Sequence, residues 1–183
     1  MAGAWRSKSM DLSSFSPHVR LALTTIDNYV RYGRTIEAPP DTPAELLNTR
    51  AGAFVSLHID GHLRGCIGTI EPVQDSLAME IIENAISAST RDPRFVPVQP
   101  REVDLLECSV DVLSPFEEVH DLRELDAKKY GVIVECGSRR GLLLPDLEGV
   151  DTVEQQIDIA RHKAFIHRDD TVKLYRFSVT RYH

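Results

Sequence analysis

The chain has 183 residues, of which 42% are hydrophobic and 27% charged, and a net charge of −7. That composition describes a globular chain and excludes collagen-like, coiled-coil and disordered classes. The acidic balance disfavours attraction of the whole surface to nucleic acid or anionic membrane. Nucleic-acid binding is therefore the poorer reading, resting only on scattered Arg91, Arg94, Arg101, Arg139 and Arg140.

No run approaches the ~18 apolar residues of a membrane span. Met1 to Met10 carries Arg6 and Lys8 with no apolar segment behind them, unlike a signal peptide. Cys66, Cys108 and Cys136 are an odd count without a CxxC pair, so reduced thiols and a cytoplasmic setting are expected. Residues 1–15 read as a disordered start. Residues 16–183 read as a single domain, or two small fused lobes.

Ser16-Pro17 predicts a helix start, with Val19, Ala22, Leu23, Ile26, Tyr29 and Val30 at helical spacing and Gly33 as the stop. Residues 35–50 are a proline-rich loop with one helical turn. Ala53, Val55, Leu57 and Ile59 then alternate with polar or aromatic residues, which predicts a strand. Asp60-Gly61 marks a hairpin, and Leu63 to Ile70 returns. Asp75 or Ser76 caps a second helix with the stripe Ala78, Ile81, Ile82, Ala85 and Ile86, ending near Arg91-Asp92-Pro93. A strand follows around Leu106 to Leu113, then a charged, weakly helical stretch over 119–129. Tyr130 to Cys136 and Gly141 to Leu144 predict two strands around a turn at 137–140. Asp151 with Glu154 reads as a capping box for a third helix, with the stripe Val153, Ile157, Ala160 and Ala164. One strand, Val172 to Tyr182, closes the chain. The fold class is α+β: a compact mixed or antiparallel sheet with flanking helices.

The hairpin carries the chemistry. A three-residue loop over Ile59-Asp60-Gly61 pairs Leu57 with Leu63 and Val55 with Gly65, giving one clean apolar face. The opposite face then gathers Ser56, His58, His62, Arg64 and Cys66. A cation beside a thiol favours the reactive thiolate, and a histidine can serve as base. This makes Cys66 and His58 candidate catalytic residues, with Ser56, His62 and Arg64 as binding residues. Gly65 and Gly68 flank Cys66 with no side chain, so a ligand or another backbone can approach closely.

Blander readings compete. Cysteine is often inertly packed, and hairpin histidines are often merely solvated. Glu71, past the hairpin, is an acid/base candidate or a simple strand end. Arg94 in Asp92-Pro93-Arg94-Phe95 either supplies a guanidinium to the same cleft or makes an internal pair with Asp92. Arg139 and Arg140 suit a phosphate or a solvated turn, while His162 and His167 complement a helix C-terminus. His58, His62 and Cys66 have zinc-like donor types, but their spacing matches no familiar finger and no fourth ligand is identifiable, so no metal is expected. Phosphate-loop, dinucleotide, zinc-protease and serine-hydrolase motifs are missing, and no cofactor is indicated.

Leu63-Arg64-Gly65-Cys66-Ile67-Gly68-Thr69 resembles the hallmark of the AMMECR family, also called AmmeMemoRadiSam system protein A. Agreement continues through Asp92-Pro93-Arg94-Phe95, Ser109-Val110-Asp111-Val112-Leu113-Ser114, Tyr130-Gly131-Val132, Arg140-Gly141-Leu142-Leu143-Leu144-Pro145 and Tyr175-Arg176-Phe177. The resemblance implies a compact α+β domain whose hairpin surface, including Arg64, Cys66 and the neighbouring glycines, with Arg94, is the active or binding site. It also implies a pathway shared with Memo-like and radical SAM proteins. One departure is Phe165, in Lys163-Ala164-Phe165-Ile166, where the family usually reads Lys-Ala-Gly-Ile; it adds bulk at a helix end and would narrow a ligand entry there. The expectation is an enzyme or enzyme-accessory domain acting on a small anionic or nucleotide-like molecule. The alternative is a non-catalytic module that binds those partner proteins.

Overall fold

The structure is a computed structural model that describes residues 12–183. They form two compact units, one of residues 12–112 with 181–183 and one of residues 113–180. The expected disordered start lies outside the described residues as far as residue 11. Leu12–Ser14 instead forms a 3-10 turn, and Leu12 and Phe15 pack partly against the core.

The first unit begins with α1 (Pro17–Tyr32). Ser16 Oγ accepts from the Val19 N–H at 3.3 Å, Pro17 occupies the first turn, and Gly33 closes the helix at φ 65°. Then come α2 (Ala44–Asn48), β1 (Ala53–Ile59), β2 (His62–Gly68) and α3 (Leu77–Thr90). Ser76 is the cap of α3, its hydroxyl accepting from Met79 N–H. A 3-10 segment, Pro100–Leu105, precedes β3 (Glu107–Leu113). The second unit holds β4 (Glu117–Val119), β5 (Gly131–Cys136), β6 (Arg139–Leu143), α4 (Val153–Lys163) and β7 (Lys173–Phe177). The chain ends in β8 (Val179–Tyr182).

The described residues form two four-stranded sheets, ordered β2-β1-β3-β8 and β4-β7-β5-β6. The pairings of β1 with β2 and β3, and of β7 with β4 and β5, are antiparallel, as is β5 with β6. The α+β class is as expected. The first core packs Ala78, Ile81, Ile82, Ala85 and Ile86 of α3 with Val55 and Leu57 of β1. Full burial of each larger aliphatic chain is worth roughly 1.5–3 kcal/mol. The second core is built on Val132, Val134, Leu143, Val150, Ala160 and Ile166.

Several details differ from expectation. The stretch 119–129 holds only a 3-10 turn, Leu122–Glu124, and the short β4 ahead of it has too few residues to show a period. The β5–β6 turn is only Gly137-Ser138, because Arg139 already pairs with Cys136. The α4 capping box uses Thr152 and Gln155, one residue later than Asp151 and Glu154. The closing strand is two strands, β7 and β8, parted at Ser178 and assigned to different sheets. An unbroken alternation cannot reveal that change of sheet.

One buried group was silent in the sequence. The His18 ring stacks on Tyr182, with centroids 3.6 Å apart, and is 5% exposed. Its Nδ1 has no hydrogen-bond partner among the described residues. Burial lowers its pKa, outweighing the opposing pull of Glu45. The unfolded chain therefore takes up a proton near the ordinary histidine value of ~6.5 before the folded chain does. Stability is full above that pH and is lost as pH falls through it. Thermal midpoints of the wild type should drop between about pH 7 and pH 5 more steeply than those of His18→Phe, which keeps a ring against Tyr182 but cannot titrate. Parallel slopes would refute this.

Candidate functional site

The hairpin turn is the two-residue Asp60-Gly61, with φ of 50° and 73°, the double left-handed geometry that matches strand twist. Ile59 pairs with His62 and His58 with Leu63, which corrects the expected three-residue loop. A bulge follows: Arg64 has no partner across the ladder, and Leu57 pairs with Gly65, Ser56 with Cys66, and Val55 with Ile67. The extra residue restores the apolar face that the turn alone would scramble. Ser56, His58 and Cys66 fall on the polar face as expected. His62 does not; it sits across from Ile59, exposed at the tip, and Leu63 takes the place beside His58.

Cys66 is at the centre. Its Sγ lies 3.2 Å from Ser56 Oγ, and it is partly buried. On the far side of β1, Ser109 of β3 pairs with Ser56, so a thiol and two hydroxyl residues cross three strands in one row. The next row holds Gly68, Phe54 and Asp111, whose buried carboxylate takes two hydrogen bonds from Arg181 at 2.7 and 2.9 Å. Sequence reasoning missed Ser109 and Asp111 as members of this face, although both alternate with the core positions Cys108 and Val110. Cys108 itself faces the core, and burial pushes its thiol up to about 12.

As β2 is an edge strand, the outward backbone groups of Cys66 need partners from elsewhere. They find them in the segment after α3. The Cys66 N–H donates to Asp92 Oδ2 at 2.9 Å, and Arg94 Nη2 donates to the Cys66 carbonyl at 3.2 Å. Asp92 is buried and also accepts from the Arg94 N–H, Nε and Nη2. Those bonds from Arg94, with that from the Cys66 N–H, hold the Asp92 carboxyl far below the usual carboxylate range, against the opposing effect of burial. Asp92 thus pairs internally with Arg94, and the same guanidinium also reaches the hairpin backbone. Its side chain remains 55% exposed.

Arg64 is placed differently. Its side chain is 14% exposed; Nε and Nη2 donate to Glu102 at 2.9 and 3.1 Å, and Nη1 donates to the Val96 carbonyl at 3.0 Å. Glu102 is held below its ordinary value chiefly by Arg64. The guanidinium is thus a tie between the bulge and the 96–102 segment. The spaces at Gly65 and Gly68 are filled by the protein. A Cβ on Gly65 would lie 2.1 Å from the Ala88 carbonyl oxygen, and one on Gly68 would lie 2.3 Å from the Phe54 ring. Glu71 lies exposed on the turn beyond β2. The buried carboxylate here is Glu80, which accepts from Thr69 Oγ1 at 2.6 Å and from the Val73 and Gln74 N–H groups. It anchors the end of the motif. Among the described residues no hydrogen bond joins His58 to the sulfur, and no three His, Cys, Asp or Glu side chains are grouped to hold a metal ion. No described helix is long and apolar enough to cross a membrane.

A hairpin, its following helix and a carboxylate–guanidinium clip around one cysteine define an α+β domain organised about an Arg-Gly-Cys-Ile-Gly edge strand. The chain belongs to the AMMECR1 family, whose model matches residues 19–182. A relative from Thermotoga maritima is 60% identical over 168 residues, covering 91% of this chain and 97% of that protein. A Clostridium acetobutylicum relative is 48% identical over 167 residues, but the match spans only 36% of its length. The crystal structure of an uncharacterised protein from Pyrococcus horikoshii is similar with a TM-score of 0.82 and 35% identity, covering 90% of this chain and 88% of that one.

Two substitutions test the clip. Gly65→Ala forces a backbone shift against Ala88 and should cost roughly 1–3 kcal/mol in denaturant unfolding. Asp92→Asn removes a buried charged acceptor and should cost about 2 kcal/mol. An unchanged midpoint in either would show that the strand edge is not held as described.

Proposed function

We propose that the outer face of the hairpin is a small-molecule site in which Cys66 supplies a nucleophilic or acid/base thiol and Arg94 holds an anionic group. The carrying observation is the pair Cys66 Sγ and Ser56 Oγ at 3.2 Å, with the half-exposed Arg94 guanidinium fixed to the same cysteine's carbonyl. A hydroxyl beside a thiol can relay its proton, and a guanidinium matches carboxylate or phosphate oxygens. His58 lies one step along the same face and can serve as the base once a ligand draws the groups together. Arg64, tied through all three nitrogens to Glu102 and Val96, positions the bulge rather than meeting the ligand. The substrate class is a small anionic or nucleotide-like molecule, and free thiols suit a cytoplasmic setting.

A second reading is a module that serves Memo-like and radical SAM proteins without chemistry of its own. The Clostridium acetobutylicum relative favours it, since there the matched segment is joined to nearly twice its own length of further chain.

Thermal-shift screening with nucleotides and small carboxylates separates the readings. A true ligand raises the wild-type midpoint by mass action. Arg94→Ala should lose that shift, Arg94→Lys should keep part of it, and Cys66→Ser should bind the ligand yet fail to transform it. A ligand whose shift survives Arg94→Ala would overturn the site. A ligand that Cys66→Ser handles like the wild type would favour the partner reading, to be checked by co-purification with a Memo-like protein.

A further inference from the structure

The end of α4 carries a contradiction that folding alone does not explain. The helix closes with two reversed hydrogen bonds, Phe165 N–H to the His162 carbonyl at 3.1 Å and Ile166 N–H to the Arg161 carbonyl at 3.0 Å. This is the left-handed helix stop whose pivotal position favours glycine. Here the pivot is Phe165, at φ 54°. A bulky side chain is strained there, and this one gains no burial in return, since it is 85% exposed. The strain is held in place. Arg139 Nη1 donates to the Phe165 carbonyl at 2.6 Å, Arg161 Nη1 donates to the His167 carbonyl at 2.6 Å, and Ile166 is buried. An aromatic ring is thus presented outward on a braced turn.

Beside the ring lies a hollow of about 660 Å³, walled by Asp158, His162, Ile166, His167 and Arg168. That volume is within the range that takes an organic ligand, and so it admits an aromatic side chain. Its rim is balanced in charge, with Arg161 and Arg168 against Asp158 and Asp169, whereas the chain as a whole carries −7. Two copies of an acidic chain repel over most of their surfaces, but not across a neutral patch of mixed sign.

We infer that this face is a self-association surface whose occupant is a second copy of the chain. Each Phe165 enters the hollow beside the partner copy's α4. A two-fold contact requires knob and hole on the same patch, because the surface must be complementary to itself. Phe165 and the hollow meet that requirement, and the rim, where Arg168 already pairs with Asp158 of its own chain, brings no net charge to the contact. The buried ring then offsets the left-handed strain.

Sedimentation velocity on the full chain, from micromolar to sub-millimolar concentration, tests this. The wild type should show a concentration-dependent dimer. Phe165→Gly should weaken it at least tenfold while raising the thermal midpoint of the dilute monomer, because glycine is at ease at this φ. Phe165→Trp should retain the dimer, with the emission of the introduced indole shifting to the blue as concentration rises. A wild type that stays monomeric throughout, a dimer indifferent to Phe165→Gly, or a Phe165→Trp variant whose emission ignores concentration would each overturn the inference.

Discussion

The packing of Gly65 against the Ala88 carbonyl, where a Cβ would have no room, fixes nearly everything around the site. A side chain at residue 65 would hold α3 away from the edge strand. Without one, the last turn of the helix lies on β2, and the chain leaving it passes directly beside Cys66. The Val98 N–H returns to the Ser89 carbonyl at 2.8 Å, tying the exit loop to the same turn. Asp92 and Arg94 then meet the N–H and carbonyl of Cys66 as a neighbouring strand would. The carboxylate replaces a strand acceptor, and the guanidinium replaces a strand donor. An edge that would otherwise invite another chain is closed by two side chains, one of which stays exposed.

The second unit repeats the scaffold without the thiol. There too a hairpin with a two-residue turn is followed by a helix, and a strand glycine, Gly141, lies under a helix carbonyl, that of Ala160. Each of these glycines follows an arginine, Arg64 or Arg140. The residue after each has its carbonyl capped by a basic side chain from near the end of the helix: Arg94 on Cys66 at 3.2 Å, Lys163 on Leu142 at 3.0 Å. What differs is informative. Leu142 stands where the first hairpin has a thiol, and among the described residues no carboxylate is bonded to Lys163 in the way Asp92 is bonded to Arg94. Glycine and basic cap belong to the architecture; Cys66, Asp92 and the partly exposed Arg94 are what the first unit adds.

Much of this was legible, and the exceptions share a cause. The faces of β1 followed from alternation, and the start and stop of α1 followed from Ser16, Pro17 and Gly33, because each is a local signal. The hairpin register was not legible, since two local signals disagreed. Asp60-Gly61 favoured a two-residue turn, and the apolar pattern favoured a different pairing. The structure keeps the two-residue turn, and the bulge at Arg64 still brings Gly65 and Ile67 onto the face of Leu57 and Val55. The expected pairs of Leu57 with Leu63 and Val55 with Gly65 do not form, and nothing in the sequence marks a bulge there. The partners of Arg64 and Asp111 were hidden for another reason. Glu102 lies 38 residues from Arg64, and Arg181 lies 70 from Asp111. The alternation running through both β7 and β8 likewise carried no sign that the strands belong to different sheets.

The two arginines of the motif region show how burial sorts roles that sequence leaves equal. Arg64, 14% exposed and bonded through all three nitrogens, cannot turn toward a ligand without breaking the ties that hold the bulge. Arg94 is bonded to Asp92 and to the Cys66 carbonyl, yet is 55% exposed, so an incoming anion can share it. The surrounding chain is acidic, and its field is screened beyond about 8 Å at physiological salt. In the proposed site an anion is therefore not drawn in from a distance. It must be selected at contact, by the fit of its oxygens to one guanidinium held beside one sulfur. The Gly65–Ala88 contact matters to that proposal because it lays the helix on β2, so that the chain leaving the helix brings Arg94 to Cys66.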